Sequence, residues 1–171
     1  DPRRQKFKSF AHGTNYMGTA KSLAQRLGLS VREAETTQQW YFGRFPRIKQ
    51  WQDRVRHQVS SKRMVENVFG YRCYFFDRIE GNVFNQAAAW IPQSTVACII
   101  NRAYLNIFHN LPEVEILLQV HDSLAGQYDI DRAEYYREQI IKYATITLPY
   151  DDPMSIPVGI KTSAESWGGC E

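Results

Sequence analysis

The chain has 171 residues, 43% hydrophobic and 13% aromatic, which suits one or two globular domains with a sizeable core and no low-complexity segment. No apolar run approaches the ~18 residues of a membrane span, and the charged N-terminus has no signal-peptide core. The net charge of +3 hides an asymmetry: residues 1–66 hold 14 Lys and Arg against 5 Asp and Glu, and residues 67–171 hold 7 against 13. The first part, at +9, is a candidate nucleic-acid or polyphosphate surface, while the remainder, at −6, argues against a pure DNA-binding module and suits a part that holds a metal.

The first predicted element is Arg4 to Gly18, RQKFKSFAHGTNYMG. Arg4, Lys8, His12 and Tyr16 recur every four residues. At about 100° per residue, each step of a helix drifts by only about 40°. A helix here carries the four side chains as one slowly winding stripe, with Phe7, Phe10 and Met17 on the opposite side as expected anchors to a core. The stripe offers a guanidinium, an ammonium, an imidazole and a phenol ring in order. That order suits a ligand with phosphates at one end and a flat ring at the other, because Arg forks onto phosphate oxygens and Lys gives a point charge. A solvated basic face ending in an aromatic accounts for the same spacing.

Gly18 interrupts the pattern. Ala20, Leu23, Ala24 and Leu27 predict a short amphipathic helix stopped at Gly28. Ser30 to Glu33 is a capping box that opens a helix running to about Phe42. Pro46 starts another, with Ile48, Trp51 and Val55 spaced for one buried side and Arg47, Lys49, Arg54 and Arg56 as solvated charge elsewhere. Residues 1–60 thus read as a compact, basic, all-helical subdomain.

Composition changes near Ser60. Met64 to Phe76, MVENVFGYRCYFF, is β-rich with Gly70 at its middle and predicts a hairpin. Asn82 to about Phe108 is a long helical pattern that Pro92 is expected to kink or divide in two. Leu117–Val120 and Ser123–Tyr128 flank too few residues for anything but a tight hairpin, which puts the Asp122 carboxylate at its tip beside His121. A turn hydrogen bond is the plain alternative for that pair. Arg132 to Thr147 predicts an amphipathic helix capped by Asp131, and Ile156 to Lys161 a last strand. Helices packed on an antiparallel hairpin make the overall class α+β. Cys73, Cys98 and Cys170, widely spaced and odd in number, point to a reduced, cytoplasmic protein without a zinc site.

RxxxK followed by a HGTNY-type ending, and then QVHD in a hairpin, resemble motifs B and C of the family A DNA polymerases, in the expected order. The resemblance runs from near residue 3 to the C-terminus. It implies that residues 1–60 are the fingers subdomain and residues 61–171 the C-terminal part of the palm. It implies template-directed transfer of dNTPs to a primer 3′ end. Arg4 and Lys8 would bind the triphosphate, with Lys8 as a general acid on the pyrophosphate. Tyr16 would stack near the templating base, and His12 would lie near the nucleotide. Asp122 would hold Mg²⁺, His121 would sit near the primer terminus, and Gln119 would support it. PQSTVACII resembles the segment whose glutamine, here Gln93, checks the minor groove of the primer–template, where acceptors are shared by all base pairs. Arg72 in the Gly70 hairpin would contact the DNA backbone, or be a plain surface arginine.

This sequence departs from the pattern at four places. Ser123 stands where the family commonly carries Glu, and His12 where it carries Phe or Tyr. Met17 replaces a glycine that comes one place later as Gly18, and Ala89 cannot make the polar contact of other members. A motif A strand with a second metal-binding Asp is not found in these residues. The expected partners are therefore DNA primer–template, dNTP and a companion polypeptide with motif A, a thumb and possibly a 3′–5′ exonuclease. A truncated or cleaved chain is the alternative to a natural split. His-Asp-Ser also resembles motif C of the phage-type single-subunit RNA polymerases, and a non-catalytic DNA-binding accessory subunit is a further alternative. The expected setting is the cytoplasm of a bacterial or phage-infected cell.

Overall fold

The computed structural model describes residues 1–170, which form two compact units. The first comprises Asp1–Asn67 and Tyr71–Pro92. It holds four helices, α1 (Pro2–Asn15), α2 (Ala20–Leu27), α3 (Val31–Arg44) and α4 (Pro46–Lys62), and a hairpin of β1 (Met64–Glu66) and β2 (Arg72–Tyr74). The helix boundaries follow local chemistry. The Asp1 carboxylate accepts from Arg3 N at 2.9 Å, and Thr19 accepts from Ser22 N at 3.2 Å. Gly28 ends α2 in the left-handed region at φ 66°. The Ser30 hydroxyl takes Glu33 N at 3.2 Å while the Glu33 carboxylate takes Ser30 N at 2.8 Å, the expected capping box.

Two apolar clusters organise this unit. One joins Phe10, Leu23, Ala24 and Ala34, so α1, α2 and α3 meet there. The other gathers Met17, Val55, Val59, Val65, Phe75 and Val83 with Ala87 and Ala88. Phe10 and Met17 are buried as expected, but Phe7 is 46% exposed, with its ring edge to face with Trp40 at 6.3 Å. On the helix, Phe7 lies about 60° from Phe10, at the margin of the packed side. On α4 the fully buried positions are Gln52, Val55 and Val59, while Ile48 and Trp51 lie half-buried at the flank.

A single helix, α5 (Gly81–Asn110), runs without interruption through Pro92. The proline forfeits one backbone bond, yet the helix is not divided, because 18 further residues of helical pattern follow it. The first unit ends at Pro92.

The second unit comprises Val68–Gly70 and the chain from Gln93. Its core is Ala103, Ile107, Leu111, Val114, Tyr136 and Ala144. It holds the hairpin of β3 (Glu115–Val120) and β4 (Ser123–Gln127), then α6 (Ala133–Ala144) and the short pair β5 (Thr147–Leu148) and β6 (Met154–Ser155). Two expectations are corrected here. Asp131 does not cap α6, whose N-cap Arg132 makes no side-chain cap bond; Asp129 instead accepts from Asp131 N at 3.0 Å and opens a 3₁₀ turn over Ile130–Arg132 that leads into it. Residues 156–161 form no strand, since pairing ends at Ser155 and Pro157 soon removes a backbone donor. Mixed helices and small antiparallel hairpins agree with the α+β class. Among the described residues no helix is long and apolar enough to cross a membrane.

Candidate functional site

The stripe of α1 is presented as its spacing predicts. Arg4, Lys8 and His12 are exposed and Tyr16, at the C-cap, is half-buried. The His12 and Tyr16 rings meet edge to face with centroids 4.7 Å apart. Asp1 is the one acid between the N-terminus and Gly18, so this surface is strongly cationic.

The C-terminal turn of α1 leaves four carbonyls without helical partners, and each finds one. Tyr16 N donates to His12 O at 3.2 Å, and Gly18 N donates to Gly13 O at 2.8 Å. Met17 N donates to Thr14 O at 3.0 Å. This is a Schellman ending with Met17 in the left-handed position at φ 62°. A non-glycine residue there costs about 1 kcal/mol of backbone strain. Burial of the Met17 side chain among Val55 and Val59 offsets it. Gly18 is required one place later, because a Cβ on it would stand 2.8 Å from Gly13 O.

Three side chains that the sequence reading did not single out hold this turn. Gln52 Nε2 donates to Thr14 O at 2.7 Å and to Asn15 O at 3.2 Å. Gln38 Nε2 donates to Gly18 O at 2.8 Å, and the Tyr41 hydroxyl donates to Asn15 Oδ1 at 2.9 Å. Arg26 adds a bond to Ser9 O at 2.9 Å. The signal for Gln52 was present: it occupies the buried register of α4 with Val55 and Val59, where an amide needs partners.

In the second unit, β3 and β4 pair from Glu115↔Gln127 to Val120↔Ser123, with an irregularity between Ile116 and Leu118. Gly126 allows the close approach, since a Cβ there would lie 2.7 Å from Glu115 O. His121 and Asp122 form the two-residue turn, both exposed, with His121 at φ 53°. Ser123 Oγ donates to Val120 O at 2.8 Å and closes the turn. The Ser123 hydroxyl is thus spent on the backbone. Gln119 is exposed on β3 opposite Leu124, and Gln93 is exposed on α5. The hairpin leaves Leu117 57% and Leu118 49% exposed.

Arg72 lies on β2, in the first unit, paired with Glu66 at 2.5 Å. The hydrogen bond to that carboxylate, with a further one to Tyr74, raises its pKa and keeps it cationic. Among the described residues no three His, Cys, Asp or Glu side chains gather as a metal site. Asp122 is an exposed carboxylate on a turn fixed by strand pairing, and carboxylate oxygens are the hard donors that Mg²⁺ takes.

Comparison with known proteins gives these features a context. The family model of DNA polymerase family A matches residues 1–168. The thermostable DNA polymerase I of Thermus filiformis is 31% identical over 94% of this chain, which spans 20% of that protein. DNA polymerase I of Helicobacter pylori is 28% identical over 95% of the chain, which spans 18% of it. Among solved structures, the POL domain of Pol1 from M. smegmatis, in complex with DNA primer-template and dNTP, superposes with a TM-score of 0.77 at 26% identity. That match covers 82% of this chain and 27% of the other. The chain therefore spans about a fifth of the length of its curated relatives. With a match along nearly its whole length, the chain belongs to DNA polymerase family A.

Proposed function

We propose that this chain supplies the motif B helix and the motif C hairpin of a DNA-directed DNA polymerase, which adds deoxynucleotides to a primer 3′ end under the direction of a template. The observation that carries this reading is the family match over residues 1–168. In this reading residues 1–60 act as fingers and residues 61–171 as the C-terminal part of the palm.

The exposed cations of α1 suit a triphosphate. Arg4 forks onto its oxygens, and Lys8 adds a point charge and holds the proton that passes to the departing pyrophosphate. His12 lies beside the nucleotide, and Tyr16 turns its ring to the templating base. Gln93 tests the minor groove, which reads pair shape rather than sequence. His121, supported by Gln119, stands near the primer terminus. Arg72 contacts the DNA backbone with its charge shared between phosphate and Glu66.

Asp122 supplies one hard oxygen ligand for Mg²⁺. When bound, the divalent metal lowers the basicity of the primer 3′-hydroxyl and neutralises charge on the pyrophosphate. One carboxylate does not complete such a site. We assign the rest to residues outside this sequence that carry motif A and a thumb, on a companion polypeptide or on a longer form of the same chain, with a 3′–5′ exonuclease where one is present. The exposed Leu117 and Leu118 of the hairpin support a neighbour on that face.

The test is Asp122→Ala in the polymerase reconstituted with that companion. Extension is expected to fall by orders of magnitude while primer–template affinity is kept. Unchanged extension overturns the assignment.

A further inference from the structure

Tyr16 follows directly on the two carbonyls that receive Gln52. Gln52 is 2% exposed, and its amide nitrogen spends itself on Thr14 O and Asn15 O, 38 and 37 residues earlier in the chain. An amide has two donor hydrogens, so two acceptors fix its plane. The same turn is fastened by Gln38 to Gly18 O and by Tyr41 to the Asn15 side chain. The Tyr16 ring meets the His12 ring, which stands on the same helix. The position of the ring is therefore set by the backbone of residues 14–16, and that backbone is held from α4 and α3.

Volume does not explain a glutamine at this place. Burying an amide is unfavourable unless its hydrogen bonds are made, and a methionine of similar length packs without that cost. What glutamine adds is direction: two bonds from one rigid group to two successive carbonyls at the end of α1.

We propose that Gln52 is a positioning residue for Tyr16. It fixes the orientation of the ring against the templating base and thereby contributes to the choice of the matched nucleotide. The inference rests on the reading of α1 as the nucleotide-binding helix.

The test uses the reconstituted polymerase with Gln52→Met, which keeps length and apolar packing and removes the donors. The readout is kcat/KM for matched over mismatched dNTP, corrected for the active fraction. The ratio is expected to fall about tenfold or more, since a displacement of the order of 1 Å at a positioned group costs up to about a hundredfold. A purely structural role lowers the melting temperature and the active fraction but leaves the ratio alone, and that result overturns the proposal. Should Gln52→Met fail to assemble, Gln38→Met decides: a smaller loss in the same ratio supports the proposal, and an unchanged ratio overturns it. Tyr16→Ala, measured alongside, separates the two levels. If it lowers the ratio and the glutamine variants do not, this inference fails while the reading of α1 stands. If Tyr16→Ala leaves the ratio unchanged, both fail.

Discussion

Tyr16 and Asp122 both sit where the chain reverses, but the two turns are held by different means. The end of α1 is fastened from a distance: α3 and α4 send Gln38, Tyr41 and Gln52 to it, and Met17 anchors it in a core. The β3–β4 turn is fastened locally, by its own strand ladder and by Ser123 on Val120 O. An isolated two-stranded hairpin is marginal in water. Leu117 and Leu118 on β3 remain uncovered, whereas Thr14 and Gln52 are fully enclosed. The comparison teaches that the helix end is enclosed within its unit, while the carboxylate hairpin packs Ile116 and Leu124 on its core and leaves Leu117 and Leu118 open.

Beyond Asp122→Ala, the largest effect is expected on the stripe. Arg4→Ala removes charge-assisted bonds to phosphate and should raise the KM for dNTP about 10- to 100-fold, with kcat changed less. Lys8→Ala should lower kcat as well, because it also removes the proton donor. Steady-state kinetics on the assembled polymerase separates the two.

Next comes the turn itself. Gly18→Ala drives a methyl against Gly13 O, a backbone atom that cannot move aside cheaply. Overpacking of this kind costs about 1–3 kcal/mol, read as a lower urea midpoint. An unchanged midpoint would show that the helix end is looser than its hydrogen bonds imply.

The smallest effect sharpens the comparison from the local side. The Ser30–Glu33 box lies on the surface, where Ser30→Ala should cost about 1 kcal/mol. Bonds from the Ser30 hydroxyl and backbone lower the pKa of Glu33 below its ordinary 4.5. A carboxyl depressed in the folded state stabilises above its unfolded value, and the gain is lost as pH falls through the folded one. The difference in urea midpoint between wild type and Glu33→Gln should therefore be present at neutral pH and vanish in acid.

How much of this was legible in the sequence follows the same division. Local devices were readable: the capping box at Ser30, the stop at Gly28, the hairpin around Gly70 and the turn at His121 and Asp122 each rest on residues within a few positions. Long-range ones were not. Nothing near Met17 signals that it takes the left-handed position, because the compensation comes from Val55 and Val59 on another helix. Gln52 carried a signal, an amide in an apolar register, but its acceptors lie 37 and 38 residues away. Ile156 to Lys161 has the composition of a strand, yet β6 stops at Ser155 because no partner continues past Thr147. The family resemblance was legible because motifs B and C are short and local. The surroundings of the Asp122 carboxylate were not, since one turn does not reveal its neighbours.

The central proposal is that this chain contributes the motif C carboxylate to a polymerase whose motif A lies outside these residues. Primer extension with Mg²⁺ and dNTPs tests it most directly, comparing the chain alone, the chain with the product of the adjoining upstream coding region, and the same pair carrying Asp122→Ala. The account predicts extension only by the unaltered pair. Extension by the chain alone, or by the pair without the Asp122 carboxylate, would contradict it.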